Sequence, residues 1–311
     1  MGRRSVTVVT DCYDGEIGLT RRRELEEHLH KLGEIREIMS SMKTLSYMET
    51  RKLGRFLGNQ HLMMESIEKM ASDFVSHFSE TLSTKEESAH IYLVIGSERG
   101  FCGNFNDALL PVLESCLDKN KNMTSLVISV GHKLNNLIQE DKRVTAQISG
   151  ANVTEEIETV LTLLVKMLVN VQTKYPSISL YVIYHSEEHG ETQPGHDSQV
   201  LIRKLLPPFQ DYLNKAATIT NEPILNISPA SFLLELTDHY LLAELHEILY
   251  TSLMVENHRR MQHLDGAVDY MDNKANELTS KCNALRQEEI IEEIEVILLN
   301  SGGLEEIHGG K

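Results

Sequence analysis

The sequence predicts an α/β domain inserted between two long terminal helices, which pair with each other as an antiparallel two-helix coiled coil. All seven prolines lie between Pro111 and Pro229, so the first 110 and the last 82 residues contain none. Proline breaks helices because it lacks a backbone N–H and clashes with the preceding turn. In both proline-free flanks apolar residues recur at steps of three and four, whereas the middle contains short apolar runs. These patterns favour helices at both ends and a globular insert between them.

The N-terminal flank carries a helical stripe, which predicts a coiled-coil helix over residues 20–87. Thr20 is the candidate N-cap residue, and the helical pattern runs to about Leu82. The stripe consists of Leu25, Leu29, Leu32, Ile35, Met39, Met42 and Leu45. Residues 1–19 precede this pattern and are expected to form a flexible extension.

The middle of the chain, residues 88–210, alternates short apolar runs with amphipathic segments. Strands are predicted at residues 91–95, 125–130 and 179–184, helices at 106–117 and 154–171, and an edge strand at 199–206. Alternating strands and helices favour a mainly parallel sheet with helices on its faces, as in a Rossmann-like domain. Residues 211–238 are expected to form a connector to the second long helix.

The C-terminal flank contains a heptad seam, which predicts a coiled-coil helix over residues 239–300. The seam consists of Leu264, Val268, Met271, Ala275, Leu278, Cys282 and Leu285. A helix of roughly 60 residues is about 90 Å long, whereas a compact chain of this length is about 50 Å across. The helix must therefore extend beyond a globule, and the N-terminal helix is the simplest partner for its inner part. Residues 301–311 are expected to form a flexible tail.

The charge balance and the cysteines argue against several classes of protein. The chain has 30 Lys and Arg against 46 Asp and Glu, a net charge of −16, which disfavours affinity based on neutralising nucleic-acid phosphates. The four cysteines, at positions 12, 102, 116 and 282, form no C-x-x-C pair, so neither a zinc site nor a disulfide framework is predicted. No apolar run approaches the roughly 20 residues of a membrane-spanning helix. A soluble, cytoplasmic chain is therefore expected.

Two motifs raise catalytic alternatives. The turn after the first strand, from Gly96 to Asn106, is rich in glycine, as phosphate-binding turns are. It lacks a Gly-Lys-Ser/Thr ending and matches no nucleotide fingerprint, so a tight strand-to-helix turn is favoured. His185 and His189 fit an H-x-x-E-H zinc pattern, which requires a helix. Here the pattern leaves a strand and runs into Gly190, which favours a solvated loop.

The glycine-rich turn resembles the Ser-Asp-Arg-Gly-Leu-Cys-Gly-Gly-Phe-Asn stretch of the gamma subunit of F-type ATP synthases. The matching residues are Ser97, Arg99, Gly100, Cys102, Gly103, Phe105 and Asn106. A block earlier in the chain, Ile38, Met42 and Lys43, resembles the family's Ile-Thr-Lys-Ala-Met-Lys segment. A later block resembles the family's terminal helix through Glu256, Arg260, Met261, Asn283, Arg286, Gln287, Ile290 and Glu293.

The resemblance, which spans about residues 20–300, implies a non-catalytic rotor subunit. In this family an α/β domain stands at the foot of a coiled-coil shaft, which turns inside a ring of alpha and beta subunits and couples hydrogen-ion transport to ATP synthesis. The resemblance implies no catalytic residue, cofactor or metal. The implied partners are the alpha and beta subunits, an epsilon-type subunit and the membrane rotor ring, with neither nucleic acid nor a second copy of the chain. The implied location is peripheral, on the cytoplasmic face of the cell membrane.

The resemblance also implies contacts with the catalytic ring, for which the candidates are Met42, Lys43, Arg286, Gln287 and Glu293. Arg286 and Gln287 lie just beyond the regular seam, where the N-terminal helix is expected to be near its end. Arginine offers a charged fork suited to a carboxylate, and glutamine adds a donor and an acceptor. The alternative is an exposed Arg286 that forms only intrahelical pairs with Glu289 or Glu293.

Three positions depart from the family pattern. Asn104 replaces a glycine, Val255 a serine and Ile291 a threonine. These departures favour a divergent branch, in which coupling to sodium ions is an alternative to coupling to protons. Two other classes of protein stay open at this point: a coiled-coil scaffold unrelated to ATP synthesis, and a free-standing α/β enzyme with helical arms.

Overall fold

The computed structural model describes residues 7–81, 88–120, 123–175, 177–186, 199–212 and 224–308. The helices within these ranges are α1 (Thr7–His77), α2 (Leu109–Lys119), α3 (His132–Leu137), α4 (Ile157–Lys174) and α5 (Pro229–His308). The strands are β1 (Ala89–Ile95), β2 (Thr124–Val130), β3 (Val144–Ile148), β4 (Ile178–Ser186) and β5 (Gln199–Leu206). Long helices therefore flank a central α/β region, as the sequence predicts.

The strands form one mixed sheet in the order β3-β2-β1-β4-β5. Strand β1 pairs in parallel with β2 and β4, β2 pairs in parallel with β3, and β5 runs antiparallel to β4 at the edge. This arrangement confirms the mainly parallel sheet and the edge strand over residues 199–206. The sequence reasoning did not include β3 or α3, because β3 alternates exposed and partly buried residues and α3 has only six residues.

Helices cover both faces of the sheet. Every residue of β1 is buried, because successive side chains of a strand point to opposite faces and each face here is covered. Ile91 and Leu93 face a core shared with α4 and with parts of α1 and α5. Tyr92 and Val94 face a second core shared with α2 and α3. The strand order reverses between β1 and β4, which is where doubly wound sheets form a crevice.

The chain divides into two compact units, one formed by Met1–Lys43 with Leu264–Lys311 and the other by Thr44–His263. In the first unit, ion pairs join α1 to α5. The Nε and Nη2 atoms of Arg36 donate to the two carboxylate oxygens of Asp272 at 2.6 and 3.1 Å. The second unit contains the whole sheet together with the adjoining segments of both long helices.

Both long helices extend beyond their predicted ends. Helix α1 begins at Thr7, inside the segment 1–19 that was expected to be flexible. Helix α5 begins at Pro229, inside the predicted connector, and reaches His308, inside the predicted tail. The start of α5 has a clear cause: the backbone N–H of Ser231 donates to Ser228 Oγ at 3.2 Å. Serine at the N-cap followed by proline at the first helical position is a helix start signal. The prediction used Pro229 only as the end of the proline-bearing region and so placed the start of the helix too late.

Candidate functional site

The glycine-rich turn leaves β1 at the point where the strand order reverses, and its two ends are tied together. The backbone N–H of Ser97 donates to Asn106 Oδ1 at 2.9 Å, and Asn106 Nδ2 donates to Ser97 Oγ at 2.8 Å. Both side chains are buried. A Cβ atom built on Gly96 would lie 2.4 Å from Leu134 Cβ, so only glycine fits there. This close packing agrees with the expectation of a tight strand-to-helix turn.

A carboxylate of the turn binds the backbone N–H groups around it. Glu98 Oε2 accepts the N–H of His132 at 2.8 Å and the N–H of Gly150 at 2.6 Å. In nucleotide-binding sheets of this topology, backbone N–H groups at the crevice bind phosphate. Here the carboxylate of Glu98, a residue of the chain itself, accepts these N–H groups in the place where a phosphate would bind. Sequence reasoning missed this residue because its partners are backbone groups that no motif identifies.

A ring pair lies where the turn after β1 meets the end of β4. Phe105 and His185 are both fully buried, and their ring centroids lie 4.0 Å apart. His185 Nε2 lies 2.7 Å from the Phe105 carbonyl oxygen, so it carries a proton and donates to that oxygen. Burial lowers the pKa of His185 to about 4, which keeps the ring neutral at physiological pH.

His185 is therefore part of the core and not of a solvated loop, which corrects the prediction for the H-x-x-E-H segment at this residue. It belongs to β4, which extends to Ser186. The rest of the segment, including His189, lies outside the described residues. Within the described part of the chain, no group of three or more His, Cys, Asp or Glu side chains is placed to hold a metal ion.

The turn is held against α5 by a buried arginine. Arg260 Nε donates to the Gly100 carbonyl at 3.0 Å, and Nη2 donates to the Arg99 carbonyl at 3.3 Å. Nη1 donates to Asn257 Oδ1 at 3.0 Å, and Nη2 also contacts Glu256. We call Arg260, Glu256, Asn257 and the backbone of Arg99 and Gly100 the turn clamp.

Glu256 completes the turn clamp. Its Oε1 accepts the backbone N–H of Arg99 at 3.4 Å and faces Arg260, while its side chain is 5% exposed. Burial raises the pKa of this carboxyl, and the guanidinium of Arg260 opposes that rise. A buried carboxylate depends on its partner, so removing one charge of the turn clamp alone leaves the other charge uncompensated.

Two departures from the family pattern contribute to the same junction. Arg259 Nη1 donates to Asn104 Oδ1 at 3.0 Å, and its guanidinium carbon lies 5.9 Å from the Phe105 ring centroid. Val255, fully buried, forms a small core with Cys102 and Phe105. Asn104, in the turn, thus contacts a residue of α5, and Val255, on α5, packs against residues of the turn. All seven residues of the turn motif lie in this region, which makes the junction the candidate functional site.

The five residues predicted to touch the catalytic ring do not form one cluster. Lys43 pairs with Asp265, while Arg286, Gln287 and Glu293 are exposed on α5 and Met42 is half-buried. Arg286 lies 21 residues beyond Asp265, which is about 30 Å along a helix.

The surroundings of Arg286 differ from the expectation in one respect. Helix α1 still runs beside α5 at this point, because Arg22 Nε lies 3.1 Å from Glu289 Oε2 on α5. Since α1 begins at Thr7, its end is not near Arg286. Glu289 is thus turned toward α1. Among the ion pairs of the described side chains, none involves Arg286. The apolar residues exposed nearby are Ile290, Ile291, Ile294, Val296, Ile297 and Leu298.

Residues 21–301 match the family model described as ATP synthase. This match covers most of the chain, and the chain belongs to the ATP synthase gamma-subunit family. An ATP synthase gamma chain from Clostridium botulinum strain Langeland is 24% identical over 296 residues, covering 94% of this chain and 98% of the relative. One from Fusobacterium nucleatum is 20% identical over 287 residues, covering 91% and 99%.

Solved structures show the same fold. A chain of the Euglena gracilis mitochondrial ATP synthase, from a structure described as OSCP/F1/c-ring in rotational state 3, superposes with a TM-score of 0.61 at 14% identity, covering 94% of this chain and 97% of that one. A chain of the Tetrahymena thermophila mitochondrial ATP synthase central stalk and c-ring gives a TM-score of 0.56 at 16% identity, covering 74% and 99%. No helix among the described residues combines the length and apolar character needed to cross a membrane.

Proposed function

We propose that this chain is the central rotor shaft of an F-type ATP synthase, which couples ion-driven rotation of a membrane ring to conformational changes at the catalytic sites of the alpha/beta ring. The chain itself performs no catalysis, as expected for a stalk subunit of this family. A shaft couples two sites by presenting different surfaces to its surroundings as it turns, so that each catalytic site is biased toward a different state.

The observation that carries this proposal is the turn clamp. Torque that enters the sheet region must reach α5 through contacts that do not slip. Arg260, Glu256 and Asn257 are at most 4% exposed, and Arg260 and Glu256 bond to the backbone at Arg99 and Gly100. Breaking a buried ion pair typically costs about 3–5 kcal/mol. Such a junction is rigid enough to transmit rotation from the sheet to the helix.

We further propose that the two long helices form an antiparallel coiled coil. In the first unit, α1 residues 22, 36 and 43 contact α5 residues 289, 272 and 265, so the partner number falls as the α1 number rises. In the second unit the rings of Phe56 and Tyr250 stack with centroids 5.8 Å apart, and those of Phe74 and Phe232 lie 5.0 Å apart. This order of contacts is that of an antiparallel pair.

The proposal extends to partners and location. Met42, Lys43, Arg286, Gln287 and Glu293 contact the alpha and beta subunits, and the exposed isoleucines of α5 lie on the same stretch of helix. The sheet region contacts an epsilon-type subunit and the membrane rotor ring. The assembled complex is attached to the cytoplasmic face of the cell membrane, and its rotation is driven by either hydrogen ions or sodium ions.

Co-expression with the alpha and beta subunits encoded in the same genome tests this function. The expected result is one complex that contains all three chains and hydrolyses ATP, while the isolated chain does not. The matched control is the double variant Arg260→Met with Glu256→Leu, which keeps the bulk of the turn clamp without its charges. An alpha/beta ring that assembles and hydrolyses ATP at the same rate without this chain, and never binds it, contradicts the proposal.

A further inference from the structure

A second cluster of charged side chains, with one fully buried carboxyl, lies in the unit Thr44–His263, away from the turn clamp. Glu244 of α5 is fully buried, and its Oε1 lies 2.8 Å from Nη2 of Arg203 on the edge strand β5. The same Nη2 atom lies 3.7 Å from Oε1 of Glu68 on α1. One guanidinium thus stands between carboxylates from both long helices.

Titratable groups surround Glu244. They are Glu68 from α1, Tyr184 from β4, Arg203 from β5, and Tyr240 and Glu247 from α5, while Tyr212 from the 3₁₀ turn at 210–212 acts on Tyr240. Among them, Arg203 is the one cation, whereas Glu68 and Glu247 are carboxyls, so that with Glu244 the cluster has three carboxyls. Tyr184 and Tyr240 are 6% and 8% exposed, whereas the side chains of Arg203 and Glu68 are 36% and 41% exposed. Water is therefore excluded around Glu244 and reaches the Arg203–Glu68 end of the cluster.

A fully buried carboxylate such as that of Glu244 is costly unless a cation or a proton neutralises it. No set of three metal-ligating side chains is found here or elsewhere in the described part of the chain. We propose that Glu244 is a proton-binding site that decides whether the edge strand β5 is tied to α5 or to α1.

The acid–base behaviour of the cluster supports this proposal. Burial raises the pKa of Glu244 to about 7; Glu247 and Glu68 act in the same direction, while Arg203 opposes it. Relative to the ordinary value of 4.5, this corresponds to roughly 300-fold higher proton affinity, at one power of ten per pH unit. Glu244 therefore gains or loses its proton within the physiological pH range.

The two protonation states differ in the partner of Arg203. When Glu244 is ionised, its carboxylate holds Arg203, and β5 is tied to α5. When Glu244 takes a proton from solvent, its negative charge is lost, and the guanidinium pairs with Glu68, which already lies 3.7 Å away. The tie then runs from β5 to α1. This switch goes beyond the rotor function and does not depend on it.

Carbon-13 NMR of the full-length chain labelled at the glutamate side-chain carboxyl tests the proposal. One glutamate is expected to titrate with a midpoint near pH 7, and this signal should disappear in Glu244→Gln. The matched control is Glu235→Gln, an exposed position on the same helix, which should leave the signal in place. A spectrum in which no glutamate has a midpoint above pH 6 overturns the proposal, as does a high midpoint that persists in Glu244→Gln.

A second variant keeps the test decisive if Glu244→Gln fails to fold. Arg203→Gln removes the cation that favours ionised Glu244, so the midpoint should move above 7. Glu68→Gln removes a neighbouring negative charge, so the midpoint should fall, and β5 amides should lose protection from hydrogen exchange at pH 5.5 but not at pH 8.5. An unchanged midpoint in Arg203→Gln, or equal β5 protection at both pH values in Glu68→Gln, contradicts the switch.

Discussion

Replacing Arg260 by methionine tests the turn clamp most severely. The substitution keeps an unbranched side chain of similar length and removes the guanidinium. It leaves the buried carboxylate of Glu256 and the carbonyls of Arg99 and Gly100 without their donor. Removing one partner of a buried ion pair costs about 3–5 kcal/mol, mostly because the remaining charge is left uncompensated. We therefore expect the turn to open more easily by that amount.

Cys102 offers a local probe of this opening. Its side chain is buried in the turn, 3.4 Å from Ser97 Oγ, and burial raises the pKa of its thiol, so it reacts slowly while the turn is closed. In a background without the other three cysteines, thiol labelling under native conditions measures the opening equilibrium. A loss of about 3–5 kcal/mol corresponds to labelling about 100- to 4,000-fold faster, at one power of ten per 1.4 kcal/mol.

The double variant with Glu256→Leu separates a charge effect from a packing effect. Because replacing a whole buried pair by apolar residues is often nearly neutral, the double variant should label much more slowly than Arg260→Met alone. Protonation of Glu256, whose pKa is raised by burial, should likewise reduce the effect of Arg260→Met once labelling rates are corrected for the thiolate fraction at each pH. If Arg260→Met labels less than tenfold faster than the wild type, or if the two substitutions are additive, the clamp reasoning is wrong.

Three further predictions concern the helices and the crevice. Arg286→Ala with Gln287→Ala should lower the ATP turnover of the assembled complex while the isolated chain stays folded. Unchanged turnover with normal assembly would mean that Arg286 and Gln287 are exposed residues that do not contact the catalytic ring. Arg36→Ala should leave the midpoint of urea unfolding at physiological salt almost unchanged, because the ion pair of Arg36 with Asp272 is exposed. A large shift of this midpoint would show that the ion pair stabilises the fold. His185 should titrate by NMR with a pKa near 4, compared with 6.5 in the unfolded chain. The neutral ring therefore contributes about 3 kcal/mol to the free energy of unfolding above pH 6.5, and this contribution is lost as the pH falls toward 4. A midpoint near 6.5 would contradict the burial of His185.

The periodicity of apolar residues in the sequence was sufficient to predict the helices and strands that bury a long apolar face. The strands at 91–95, 125–130 and 179–184 and both long helices follow directly from runs and stripes of apolar residues. The edge strand at 199–206 contains two short apolar runs, Val200–Ile202 and Leu205–Leu206. Strand β3 was missed because most of its residues are exposed or half-buried, which leaves no apolar run in the sequence.

The functional site was predictable only through the resemblance. Arg260 and Glu256 look like ordinary surface residues of an amphipathic helix, and nothing in their spacing shows that both are buried. Their partners are backbone carbonyls and an N–H group of a turn about 160 residues earlier, which periodicity cannot detect. His185 attracted attention as part of a metal motif, whereas its true partner is the Phe105 carbonyl.

Single-molecule rotation tests the central claim most directly. A marker attached through Lys166→Cys, an exposed position in the middle of α4, would report the motion of the sheet region while the alpha/beta ring is fixed to a surface. The account predicts unidirectional, stepwise rotation of the marker on addition of ATP, slowed by Arg286→Ala with Gln287→Ala. A complex that contains this chain and hydrolyses ATP at full rate while the marker stays still would contradict the account.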